Sequence, residues 1–211
     1  EYPAVKVALG EETFDAFAFS YLQDYPSQSY TLGELRRHFS QFLQETRPED
    51  LPEKSWADFL IDLARLEWIY SEIFNGPGIE QTPTLQPDDL TGLGEHTFVA
   101  ARLVPVPCLR LEQFDFPVHE YATAVRKRDE SPELPPASPT WLIITRKDYV
   151  VRRTPVSEAE YRLLETLMQG VTVGEAIEQQ AGQFSEEMQQ NLAEWFRRWA
   201  AAGYFLRVES D

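Results

Sequence analysis

The chain has 211 residues, 43% of them hydrophobic and 13% aromatic, and its 35 Asp and Glu against 19 Lys and Arg give a net charge of −16. That apolar share excludes a disordered chain, and the length suffices to bury a core in one or two domains. The acidic balance argues against a nucleic-acid binder, because a duplex-binding surface needs clustered Lys and Arg to neutralise phosphates.

The first third reads as helices. Residues 11–24 set Phe14, Phe17, Ala18, Tyr21 and Leu22 on one face at helical spacing, and Tyr25-Pro26-Ser27 stops the helix because Pro disfavours the helical region for the residue before it. Thr31-Leu32-Gly33-Glu34 spells a capping box and predicts a second helix with Leu35, Phe39, Phe42 and Leu43 as its buried stripe. A third helix starts near Ser55, carries Trp56, Phe59, Leu60, Leu63, Leu66, Ile69, Tyr70 and Phe74 at helical spacing, and ends at Asn75-Gly76-Pro77-Gly78. Residues 1–80 are therefore expected to form a helical N-terminal domain. Residues 81–140 are rich in Pro and read as an irregular connecting segment, with short strands possible at Thr97–Val104 and Arg110–Phe114. Ser131–Pro139, with four prolines, looks like a stiff linker and sets the domain boundary.

The last segment, 141–211, is orderly again and nearly balanced in charge, with 8 basic and 11 acidic residues. Trp141–Arg146 and Tyr149–Thr154 are β-rich runs around Lys147-Asp148, a hairpin signal. Ser157-x-x-Glu160 and Thr172-x-x-Glu175 open two helices, the second ending near Gly182. A third, about 185–202, carries Leu192, Trp195, Phe196 and Trp199 on one side, and a short terminal strand follows Gly203. The expected class is mainly α with a small β component: a helical bundle, then a hairpin and three helices.

Motifs for catalysis are missing from the sequence. Cys108 is the only cysteine, so it forms no internal disulfide, and with His38, His96 and His119 scattered it offers no metal cluster. No Gly-rich phosphate loop and no G-x-S-x-G elbow occurs, and Asp88-Asp89 and Glu11-Glu12 read as solvated acidic surface. The opening Glu1-Tyr2-Pro3 reads as folded sequence and not as a signal peptide, and no apolar run approaches the roughly 20 residues of a membrane span. A soluble cytoplasmic protein, off the membrane and not an enzyme, is the expectation.

Two places suit binding. Asp62-Leu63-Ala64-Arg65-Leu66-Glu67-Trp68 pairs Asp62 with Arg65 along a helix and displays Arg and Trp, residue types favoured at interface hot spots. The second hairpin strand, with Tyr149, Val151 and Arg153, offers backbone N–H and C=O groups to an extended peptide if its edge is open. Arg197 and Arg198 on the last helix could meet an acidic peptide; Trp199 reads as core or as a pocket wall.

Several strings resemble one family in order: Tyr2-Pro3-Ala4-Val5, Leu9-Gly10-Glu11-Glu12 with Phe14, Tyr21-Leu22, Pro26-Ser27-x-Ser29, Phe39-x-x-Phe42-Leu43, Asp62–Trp68 and Phe116-Pro117-Val118-His119. The chain is similar to the HvfC/BufC-type peptide-modification chaperones, long labelled a DNA-binding domain and similar to the partner subunit of methanobactin biosynthesis. The resemblance implies a non-catalytic partner of an iron-dependent barrel enzyme, which modifies cysteines of a ribosomally made precursor peptide. The chain itself would hold no cofactor; the iron would sit in the enzyme. The resemblance also implies a winged-helix-like peptide-recognition module at the C-terminus, and a further helix with a YRNN-like string ahead of Tyr2. Pro26, Ser27, Arg65, Glu67 and Trp68 become candidates for the enzyme interface, and Tyr149, Val151, Arg153, Arg198 and Trp199 for the peptide site. The competing reading is a DNA-binding regulator that presents Arg197 and Arg198 on a recognition helix.

Overall fold

Pro3 fixes φ for a first helical turn and has no N–H to satisfy there, so a helix starts at a point that hydrophobic periodicity does not announce. The computed structural model describes residues 2–26, 34–128 and 132–209. Along the chain come α1 (Pro3–Leu9), α2 (Glu11–Asp24), a 3-10 turn (Glu34–Arg36), α3 (Phe39–Glu45), α4 (Trp56–Asn75), α5 (Pro87–Thr91) and α6 (Glu95–Ala100). Then follow β1 (Arg102–Pro105), β2 (Arg110–Phe114), α7 (Val118–Arg126), β3 (Thr140–Lys147), β4 (Val150–Val156), α8 (Glu158–Leu167), α9 (Val173–Ala202) and β5 (Phe205–Glu209). The fold is mainly α with a small β component, as expected. Two compact units result: Glu1–Glu72 with Gln113–Thr140, and Ile73–Glu112 with Trp141–Asp211.

In the first unit, α4 buries Phe59, Leu60, Leu63, Leu66 and Ile69, the stripe its sequence predicts. Trp56 at the helix start is instead 50% exposed. Asp58 fastens that start: its Oδ2 accepts from the Ser55 N–H at 2.8 Å and the Ser55 hydroxyl at 3.0 Å, and Arg47 reaches both its oxygens. Phe39 and Phe42 of α3 pack with Tyr21 of α2, and Phe59 meets Phe116 and Tyr121 edge to face. Leu22, expected on the inner face of α2, is exposed. The second predicted helix begins at Phe39, after the 3-10 turn; its expected cap Thr31 lies outside the described residues. α7 forms where no helix was expected, and burying Val118, Tyr121 and Ala122 accounts for it.

The second unit holds two small sheets. β1 and β5 pair antiparallel, and the other sheet runs β2-β3-β4. Thr97–Ala100, expected as the start of a strand, belongs to α6; only Arg102–Pro105 is extended. The Thr172 capping box closes in both directions at the start of α9. The helices predicted at 172–182 and 185–202 run on as one 30-residue helix, so two helices and not three follow the hairpin. One Gly inside a helix costs only about 1 kcal/mol, and α9 continues through Gly182 until Gly203 adopts left-handed φ 75. Trp199 sits fully buried among Phe196 and Phe205.

Arg146 organises one end of this unit. Its side chain is 8% exposed, its Nε donates to Glu80 Oε1 at 2.7 Å, and its Nη1 donates to the carbonyls of Ile73 (3.0 Å) and Phe74. A Cβ on Gly78 would lie 1.9 Å from Arg146 Nη2, so only glycine leaves room for the guanidinium.

Candidate functional site

The hairpin is the first candidate. Lys147 pairs with Val150, so the two-residue loop is Asp148-Tyr149 and not the predicted Lys147-Asp148. Both residues have positive φ, 52° and 60°, as a type I′ turn requires. Asp tolerates that region; Tyr does so at a cost, and Tyr149 stands 67% exposed at the hairpin tip. Tyr149 is therefore a turn residue and not a strand residue.

β4 is the outer strand of the β2-β3-β4 sheet. In an antiparallel ladder closed by a two-residue turn, the flanking pair exchanges hydrogen bonds and the pairs then alternate. Lys147–Val150, Thr145–Arg152, Ile143–Thr154 and Trp141–Val156 are thus the bonded pairs. The backbones of Val151, Arg153 and Pro155 turn away from β3. Pro155 agrees with this phase, since at an outward position its missing N–H costs no ladder bond. Side chains follow the same alternation. Thr154 accepts from the Tyr204 hydroxyl at 3.4 Å, and Lys147 Nζ donates to the Ala201 carbonyl at 3.4 Å, so that face lies against the end of α9. Val151 and Arg153 lie on the opposite face, both half-buried.

The remaining peptide-site candidates have structural partners. Trp199 is fully buried, and its Nε1 donates to Glu160 Oε1 at 2.7 Å. Arg198, its side chain 43% exposed, pairs with the other Glu160 oxygen. Glu160, expected to close a capping box on Ser157, spends both oxygens on α9 instead; only the Ser157 half of the box forms, accepting from the Glu160 N–H. The α9 surface is acidic, with Glu175, Glu178, Glu186, Glu187 and Glu194 against Arg197 and Arg198. Arg197 pairs with Glu194.

The enzyme-interface candidates fall in the first unit. Arg65 stacks over the Phe114 ring at 4.4 Å, donates to the Gln113 carbonyl and lies 3.7 Å from Asp62, the pairing its spacing predicts. Burial pushes the Asp62 carboxyl up to about 6, against Arg65 and a 2.7 Å bond from the Asp115 N–H. Trp68 is half-buried with the Arg36 guanidinium 6.0 Å from its ring centroid. Glu67 turns inward. Its Oε1 accepts from the Ala4 N–H at 3.0 Å and its Oε2 from the Val5 N–H at 3.2 Å. It thereby caps α1, whose own N-cap residue, Tyr2, supplies no side-chain bond. Burial pushes the Glu67 carboxyl up to about 7, against those two N–H bonds and Arg126. Pro26 is exposed just beyond α2, and Ser27 lies outside the described residues.

A concavity of about 270 Å³ opens between Tyr2, α2, the 3-10 turn and α3, with Phe14, Leu22, Leu35 and Phe39 among its walls. Among the described residues, no group of three or more His, Cys, Asp or Glu is placed to hold a metal ion, and no helix is long and apolar enough to cross a membrane. The sequence reading missed Arg146, Glu160 and the outward phase of β4; of these only the last had a signal, Pro155 standing two residues after Arg153.

Residues 107–202 match the family model of the HvfC C-terminal domain, which supports an HvfC-type family. The matched stretch contains the hairpin, α8 and α9. No curated protein matches the chain.

Proposed function

Taking the HvfC-type segment as premise, we propose that this chain is a non-catalytic, cytoplasmic partner of an iron-dependent barrel-type enzyme. In this reading it binds a ribosomally made precursor peptide whose cysteines that enzyme modifies. The observation that carries the peptide half is the β4 edge: an outer strand with Val150 53% exposed at one end, whose backbone alternates outward at Val151, Arg153 and Pro155. An extended peptide adds to such an edge through main-chain hydrogen bonds, and neighbouring side chains select its sequence. Arg65 and Trp68, half-buried on α4, serve as enzyme contacts, since arginine and tryptophan dominate interface energetics. The iron belongs to the enzyme, and this chain orients the peptide.

A DNA-binding role finds little support in α9. Five glutamates against two ion-paired arginines would repel phosphates along the helix that recognition requires. The test is recovery of the protein from its native host at moderate salt, with mass spectrometry of what comes with it. An iron-containing barrel enzyme or a short Cys-bearing peptide is the expected catch. DNA that comes down instead, and is released as salt rises, overturns the proposal.

A further inference from the structure

Tyr149 breaks two local rules at once. A type I′ turn favours Asn or Gly where φ is positive, and an exposed turn favours a small polar side chain. Here a tyrosine at φ 60° holds the tip of the hairpin with 67% of its surface exposed. A residue that breaks local rules with no gain inside the fold marks a functional site. Resting on the partner reading above, we propose that Tyr149 is the ring by which this chain docks into the enzyme, entering an apolar slot that carries a cation at its rim.

The tip is built to hold that ring out. Beside the turn lies an enclosed ion pair, Arg146 with Glu80, joined Nε to Oε1 at 2.7 Å and Nη2 to Oε2 at 3.2 Å. Arg146 also donates to the carbonyls of Ile73 and Phe74. The Arg146 guanidinium first, then N–H groups of Glu80 itself and of Tyr149, hold the Glu80 carboxyl below its usual range. The end of α4 and the turn are therefore fastened to one guanidinium–carboxylate pair. Phe74 at that helix end is 55% exposed, and Val150 beside Tyr149 is exposed as well. Apolar side chains exposed singly need no explanation, but three on backbone fastened to one ion pair are what a protein contact uses. Tyrosine suits the centre of such a contact, because its large rigid ring loses little side-chain entropy on burial.

Shape and charge choose the partner. A peptide added along β4 presents an extended strand with no hollow, whereas a protruding ring is buried by the concave surface of a folded protein. The charge at the turn is Asp148, the one acid of residues 140–156; it is exposed and, among the described residues, unpaired. Lys147 beside it is taken up by the Ala201 carbonyl. A cation at the rim of the slot meets both the Asp148 carboxylate and the face of the ring. The net charge of −16 favours approach to a basic docking face. Tyr149 also stands two residues before Val151, the first outward position of the β4 edge, so an enzyme seated on the ring stands at one end of the peptide's track.

The experiment uses the full chain, tagged in its native host and recovered at moderate salt, as wild type, Tyr149→Asn, Tyr149→Phe and Asp148→Asn. Tyr149→Asn puts into the turn a residue that accepts positive φ, so it unfolds at higher urea than wild type. It nevertheless brings down about tenfold less of the iron-containing enzyme, as loss of a hot-spot side chain does. Tyr149→Phe keeps the ring and the recovery. Asp148→Asn keeps the turn, recovers less enzyme, and its deficit shrinks as salt rises. Tyr149→p-benzoylphenylalanine, illuminated in the same recovery, crosslinks to the enzyme. A Tyr149→Asn protein less stable than wild type, or a crosslink to the peptide and not to the enzyme, overturns the inference. Asp148→Asn recovery equal to wild type at low salt overturns the cation at the rim. If wild type and Tyr149→Asn bring down the enzyme equally, this inference fails and the partner reading stands. If wild type brings down neither enzyme nor peptide, the partner reading fails and takes this inference with it.

Discussion

Acidification from pH 8 to pH 5 should stabilise the first unit, and Glu67 should supply most of the gain. The Glu67 carboxyl stands at about 7 in the folded protein against an ordinary 4.5, because burial outweighs its two N–H bonds and Arg126. A raised folded value means that the folded state holds the proton more tightly than the unfolded state. The resulting stability is fully present below about 4.5 and is lost as pH rises through about 7. Between pH 8 and pH 5 the linkage amounts to about 2.5 kcal/mol for Glu67, at about 1.4 kcal/mol per unit. Asp62, at about 6 against 3.8 and shifted by burial in the same direction, adds about 1.4 kcal/mol over the same range. Carboxyls held low, such as Asp58 by Arg47 and Glu80 by Arg146, oppose this trend only at more acid pH. Urea unfolding at pH 8, 7, 6 and 5, with amide exchange at Ala4 and Val5, measures the effect. Wild type should gain stability at each step down, and Glu67→Gln should keep only the Asp62 share. A wild-type curve flat from pH 8 to 5, or a Glu67→Gln curve rising as steeply as wild type, refutes the reasoning.

Arg146→Ala takes the guanidinium away from Glu80 and leaves two carbonyls at the end of α4 without their donor; thermal melting should show a loss of stability, and Gly78→Ala a related one. Tyr149→Gly relieves a left-handed tyrosine and should raise stability by about 1 kcal/mol, read as a higher urea midpoint. Thr172→Ala deletes the capping box of α9 and should cost about 1 kcal/mol, read as lost amide protection in the first turn of α9. Trp199→Phe leaves a buried Glu160 oxygen without its N–H donor and should cost about 1–3 kcal/mol, measured by urea unfolding.

Helix starts marked by side chains were legible in the sequence. Thr172 with Glu175 and the stripe of α4 follow from local spacing alone, and so does the existence of the hairpin. The exact loop was not, because a tyrosine at positive φ is a poor local choice that only the register of Ile143–Lys147 against β4 enforces. α1 was invisible for a different reason: seven residues carry too little periodicity, and its cap, Glu67, lies more than sixty positions away. Glu67 was read as a surface residue because sequence alone shows which helix bears it and not which way it faces. Glu160 is the converse case. Its spacing to Ser157 matched a capping box, and two partners on α9 then claimed both of its oxygens. The β4 edge was named as a peptide site from its residue types, while its direction of opening needed the closing pair of the turn.

The capping of α1 also sets an order of events. A seven-residue helix does not persist alone in water. α1 depends on Glu67 for its two N–H groups, on Arg36 for the Tyr2 hydroxyl bond, and packs against α7. The ribosome makes residues 3–9 long before residues 118–126. During synthesis this segment has no cap for its N–H groups until Glu67 has been made. For that interval Val5, with no exposed surface in the finished protein, is open to water and to any chaperone that reads apolar chain.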